Sequence, residues 1–230
     1  MSNEHIVRSF DSELARLYGE IERMGALSVS QLERAGAVLL ERDDAAASAL
    51  IAGDAEIDVL ESVISQDVLR LLALRQPMAR DLREVYSTLK IAADIERVGD
   101  LAANVAKRSK VLNQSRVIPA VAGLPALIEL AAELVREAIK SYLTRDAELA
   151  KRIRERDAEL DQLYTRLFRE VLTYMAEDAR MITACSHLLF IAKNIERIGD
   201  HATNIAESAW FVVHGEAFSE ARTKRDGTTV

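Results

Sequence analysis

Asp94-Ile95-Glu96-Arg97-Val98-Gly99-Asp100-Leu101-Ala102-Ala103-Asn104-Val105-Ala106 recurs as Asn194-Ile195-Glu196-Arg197-Ile198-Gly199-Asp200-His201-Ala202-Thr203-Asn204-Ile205-Ala206, with corresponding residues 100 positions apart. The repeat preserves polar residues as well as a hydrophobic pattern, which marks an internal duplication. It extends upstream. Arg42-Asp43 matches Arg145-Asp146, and Asp54-Ala55-Glu56-Ile57-Asp58-Val59-Leu60 matches Asp157-Ala158-Glu159-Leu160-Asp161-Gln162-Leu163, now at an offset of 103. The first copy therefore has three extra residues between the blocks. Arg75-Gln76-Pro77 is where a helix–helix turn would absorb them.

Within each copy the hydrophobic period is helical. Leu14, Leu17, Ile21, Met24, Leu32, Ala35 and Leu39 follow spacings of three and four with gaps, the seam of a long helix packed on antiparallel neighbours. Asp43-Asp44 and Gly53-Asp54 bracket a short helical piece, and a second long helix is expected from Asp54 to Arg75. Pro77 suits the first turn of a third, where its missing N–H costs nothing. That helix carries Glu96 to Asn104 and is expected to reach Lys110. No strand pattern competes, so the chain is expected to be all-α: two tandem three-helix bundles related by internal duplication. The expected division is 1–112 for the first unit, 113–125 for a linker holding two of the three prolines, 126–215 for the second unit and 216–230 for a flexible tail.

Composition excludes several function classes. The net charge of −7 opposes non-specific nucleic-acid binding, which needs a basic footprint to displace counterions. The clusters at Lys107-Arg108-Ser109-Lys110 and Lys151 to Arg156 read as solvated helix faces. One cysteine, Cys185, rules out an internal disulfide framework and reads as a small buried core residue. The charged N-terminus and the absence of a long uncharged apolar run lead us to expect a cytoplasmic protein with no signal peptide or membrane span. No Ser/His/Asp arrangement, phosphate loop or Glu-x-x-His pattern is present.

The repeated motif carries the chemistry. At about 100° per residue, Asp100 lies about 40° and Asn104 about 80° from Glu96 on the helix, while Ile95, Val98, Ala102 and Val105 lie opposite as a packing seam. Glu196, Asp200 and Asn204 repeat this arrangement. Carboxylates at i and i+4 repel each other. Arg97 and Arg197, three residues before Asp100 and Asp200, are one means of neutralising them; a metal ion is another. The donors are hard oxygens, suited to magnesium, calcium, manganese or iron. A complete site needs a neighbouring helix, and Asp54, Asp58, Asp157 and Asp161 are the available donors. Gly99 and Gly199 each cost about 1 kcal/mol in a helix interior; a close helix approach or ligand access would account for them. His201, which replaces Leu101, reads as an exposed polar residue.

The doubled Ile-Glu-Arg-(Val/Ile)-Gly-Asp-x-x-x-Asn, together with Arg75-Gln76-Pro77-x-Ala79-x-Asp81-Leu82-Arg83, Phe10-Asp11-x-Glu13-Leu14 and Ile205-Ala206-Glu207, resembles the PhoU family, accessory proteins of bacterial phosphate-specific transport. The resemblance runs from about residue 5 to 215. It implies negative regulation of the phosphate-starvation response and of phosphate uptake. The protein would act by contact, without enzymatic activity, as an adaptor between the ATPase subunit of the phosphate ABC transporter and a sensor histidine kinase. It implies a homodimer that meets membranes only through those partners and binds no nucleic acid. Some relatives carry multinuclear iron or zinc clusters on the Glu-x-x-x-Asp faces, which makes Glu96, Asp100, Glu196 and Asp200 the metal-ligand candidates. Asn194 in place of Asp94 removes one charge from the second copy. The competing reading is a metal-binding helical bundle with redox, storage or hydrolytic activity.

Overall fold

The computed structural model describes residues 2–219, with side chains from residue 10 onward. Its first copy comprises α1 (Ser2–Glu41), α2 (Asp44–Gly53), α3 (Ala55–Arg75) and α4 (Ala79–Asn113). The second comprises α5 (Leu124–Thr144), α6 (Ala147–Glu177) and α7 (Ile182–His214). Short 3-10 turns stand at Pro119–Gly123 and Ala179–Met181, and no strand occurs among the described residues. This is the expected all-α architecture of two duplicated three-helix units. Every residue of the α1 seam from Leu14 to Leu39 is buried, as are Ile95, Val98, Ala102 and Val105. Cys185 is buried as expected, and burial pushes its thiol up from the ordinary value.

Four local features depart from the sequence reading. Pro77 lies in the connection before α4, and Ala79 opens that helix. The second unit has no separate short piece: α6 runs unbroken where α2 and α3 part, because Arg156 replaces Gly53 and pairs with Glu133 and Glu137 at 2.8 and 2.9 Å. The tail expected at 216–230 is docked at its start, since Phe218 lies 4.3 Å from the Trp210 ring; residues 220–230 lie outside those described. His201 is only partly exposed, and its Nδ1 lies 2.9 Å from Oδ1 of Asp94.

The matched Arg-Asp dipeptides form equivalent turns. Arg42 and Arg145 adopt φ of 58° and 55°, the left-handed region, and the next residue caps the following helix. Asp43 accepts from the amides of Ala45 and Ala46, and Asp146 from that of Leu149. A left-handed non-glycine residue costs about 1 kcal/mol, and each arginine makes offsetting contacts. Arg42 donates to the carbonyls of Leu112, Asn113 and Ser115 at the end of α4. Arg145 reaches a buried carboxylate, Glu84, in the other copy.

The two units share one hydrophobic core along α4–α7 and α1–α5. Asp94 meets His201 while Arg108 meets His187, so α4 and α7 run antiparallel. Gly25 and Gly36 of α1 face Ile139 and Ile128 of α5 in the same antiparallel sense. Gly99 and Gly199 admit corresponding side chains of the second helix. A β-carbon at Gly99 would stand 2.9 Å from Cδ1 of Ile57; one at Gly199 would overlap Cδ2 of Leu160 and stand 3.2 Å from Oδ1 of Asp157. Close helix approach is therefore the reason for both glycines. Gly199→Ala is expected to destabilise by about 1–3 kcal/mol through overpacking. At Gly99 the gain in helix propensity, about 1 kcal/mol, offsets most of a milder clash. Urea denaturation of the two variants checks the difference.

Candidate functional site

The first acidic stripe faces α3. One carboxylate oxygen from each of Asp58, Glu96 and Asp100 lies within 4.8 Å of the others, the sole such trio of potential ligands among the described residues. Asp58, placed by the second helix, completes the set that Glu96 and Asp100 begin. Arg97 also contributes, its guanidinium 2.9 Å from Asp100 and 3.4 Å from Glu96. Burial, and then the charge of Asp100, push the Glu96 carboxyl above its ordinary value. Burial likewise raises Asp54, against the hydrogen bond it accepts at 2.9 Å from Gln31. The stripe therefore holds more negative charge than its surroundings stabilise.

The second stripe contains the same acids in a different setting. Glu196 is 2% exposed, and Nζ of Lys193 stands 2.8 Å from its Oε2. That ammonium also lies 5.2 Å from the centre of the Tyr164 ring. In the first copy the positions of Lys193 and Tyr164 are taken by Ala93 and Glu61. Both line an open hollow of about 460 Å³ beside Glu96. One stripe is thus open, its arginine exposed beside Glu96 and Asp100, while its duplicate has a lysine seated on a buried glutamate. A divalent ion bound by hard oxygens suits the first set; at the second, Lys193 already occupies one carboxylate oxygen. The signal was present in the sequence as Ala93 against Lys193.

Two flanking residues have other tasks. Asn204 donates to Asp94 across the α4–α7 interface at 3.1 Å, alongside His201. Asp94 and His201 stand at two of the five positions where the copies of this motif differ, and they pair with each other. Exchange of the copies would turn this contact into Asn194 and Leu101, so the charge and the imidazole belong together.

A divalent ion relieves the repulsion at Glu96, and so does removing the charge. A carboxyl raised in the folded state holds its proton more tightly than in the unfolded chain, so its ionisation costs stability as pH rises through its folded value. Glu96→Gln is therefore expected to raise Tm at pH 7 and to leave it unchanged well below 4.5, the ordinary carboxyl value. Scanning calorimetry at the two pH values checks the sign.

The PhoU domain family model matches residues 21–109 and 124–209, one match per copy. The chain belongs to the PhoU family. A PhoU homolog of Xylella fastidiosa strain 9a5c, a phosphate-specific transport system accessory protein, is 56% identical over 99% of this chain and 96% of its own. The Escherichia coli K12 PhoU is 32% identical, covering 94% of this chain and 90% of its own. The PhoU crystal structure from Pseudomonas aeruginosa superposes with a TM-score of 0.86 at 34% identity, over 90% of this chain and all of that one. The PhoU fold therefore extends over both copies, and no helix among its described residues is long and apolar enough to cross a membrane.

Proposed function

We propose that this protein is a negative regulator of phosphate uptake and of the phosphate-starvation response, acting as an adaptor between the phosphate ABC transporter's ATPase subunit and a sensor histidine kinase. Full-length similarity to phosphate-specific transport accessory proteins supports this reading most directly. A docking adaptor also needs apolar surface outside its core. Leu74 at the end of α3, Met78 in the connection, and Leu82 and Tyr86 in the first turns of α4 are exposed, Met78 at 80%. The proposed protein works through contacts, without turnover of its own, as a homodimer.

Deleting the gene is expected to raise alkaline phosphatase expression in phosphate-rich medium, and unchanged repression would refute the regulatory role. Met78→Glu with Leu82→Glu, both surface changes, should reproduce the deletion and weaken capture of the ATPase subunit.

Divalent-cation binding on the first stripe is a second part of the proposal, with Asp58, Glu96 and Asp100 as ligands. A bound ion would supply positive charge there and fix α3 against α4. Glu196 and Asp200 make the weaker candidate pair because Lys193 already neutralises their stripe. Titration calorimetry with manganese on the native protein and on Glu96→Gln tests this; equal heats in both would reject the first site.

A further inference from the structure

The α4–α7 interface has two ends that the duplication makes equivalent, and they are built differently. At one end Arg108 of α4 lies 3.5 Å from His187 of α7 and covers the Phe190 ring at 4.3 Å, filling the space. The equivalent positions at the other end are Ser208, Ser87 and Lys90. Smaller side chains leave a cavity of about 450 Å³ there, within the usual range for small-molecule sites.

The cavity wall bears polar groups without partners. Ser87 is 1% and Ser208 4% exposed, and neither Oγ has a hydrogen-bond partner. Buried hydroxyls are ordinarily satisfied, so two unsatisfied ones on one wall indicate a missing acceptor. Lys90 adds an ammonium at the rim. The carboxylates there are already engaged: Asp94 by His201 and Asn204, and Glu207 by Arg154 at 2.9 Å. The two serine hydroxyls and the Lys90 ammonium remain as donors. Tyr86, Phe211 and Phe218 make the rest of the wall apolar. Trp210 at 4.3 Å and the Arg154 guanidinium at 4.5 Å seat the Phe218 ring.

We propose that this cavity binds a small organic anion: an oxyanion head group, carboxylate or phosphate monoester, on a flat apolar body. Ser87, Ser208 and Lys90 hold the head group, while Phe211 and Phe218 cover the body. The bound oxyanion supplies the acceptors both hydroxyls lack, and the aromatic rings account for a volume larger than an inorganic ion needs. The site shares Lys90 and Asp94 with the hollow beside Glu96 and does not rest on the regulatory role.

Trp210, the single tryptophan, packs at a tilt against the Phe218 ring and is the natural reporter. Titrating the full chain with 1-naphthyl phosphate and with 1-naphthoate, with inner-filter controls, is expected to give saturable changes in its emission. Lys90→Gln, an exposed substitution, should weaken binding by about tenfold by removing a charged donor. Ser87→His with Ser208→Arg copies the filled end and should abolish it. Displacement of the naphthyl probe by phenyl phosphate further supports the site. Absence of saturation, equal affinity for uncharged 1-naphthol, equal affinity for inorganic phosphate, or an unchanged affinity in Lys90→Gln would each overturn the assignment. If the double variant fails to fold, Lys90→Gln alone decides.

Discussion

Lys193→Ala is expected to destabilise the protein by about 3 kcal/mol, the low end of the cost of stripping one partner from a buried ion pair. For a chain of this size that corresponds to a Tm lower by roughly 6–12 °C. The cause lies with the partner. Glu196 is almost wholly enclosed. Removing the ammonium leaves its carboxylate in a low-dielectric setting. Lys193→Met separates charge from packing, because it keeps an apolar stem over Tyr164. It should lose nearly as much as the alanine variant; a loss below half would assign the stabilisation to packing. Millimolar manganese should recover part of the Tm of Lys193→Ala, which has the alanine found at Ala93 in the first copy. Differential scanning calorimetry with and without the ion reads all three outcomes.

Arg145→Ala should cost about 2–3 kcal/mol, again by isolating a buried carboxylate. Glu84, on α4, receives Nε of Arg145 at 2.8 Å and a second guanidinium nitrogen at 2.9 Å. Arg80 at 3.2 Å and the Tyr18 hydroxyl at 3.1 Å remain in the variant, which sets the cost below the full range. Burial pushes the hydroxyls of Tyr18 and Tyr142 above their ordinary values, so both are hydrogen-bonding neutral groups here. Tyr142 bonds Thr88 at 2.7 Å. This cluster joins α1 and α4 of the first copy to the α5–α6 turn of the second, so its loss also loosens the two units. Replacing both ends, Arg145→Ala with Glu84→Gln, should recover stability relative to Arg145→Ala alone. Strict additivity in urea denaturation would mean that the pair is not coupled.

The acidic stripe was half legible. Helical spacing placed Glu96 and Asp100 on one face, and the duplication drew attention to Asp58. Spacing along one helix says nothing about which neighbour approaches it. Whether the charges meet a lysine or an open hollow depended on residues 93 and 193, outside the shared motif. The pairing of Glu84 with Arg145 left no local signal, because the contact spans 61 residues and joins the two copies. His201 was misread for a similar reason, because a lone histidine at a helical position gives no sign of the Asp94 facing it.

The duplicated chain alone determines the helical architecture, its doubling and the seams that bury its core, since these follow from periodicity and from local turn chemistry such as Arg42-Asp43. Folding decides how the copies differ. The two units pack antiparallel, so small substitutions at equivalent positions face different partners. That places a lysine against Glu196, leaves Glu96 beside an open hollow, and makes one end of the α4–α7 interface solid and the other a cavity. Such differences depend on pairwise distances across the fold, which a linear pattern does not contain.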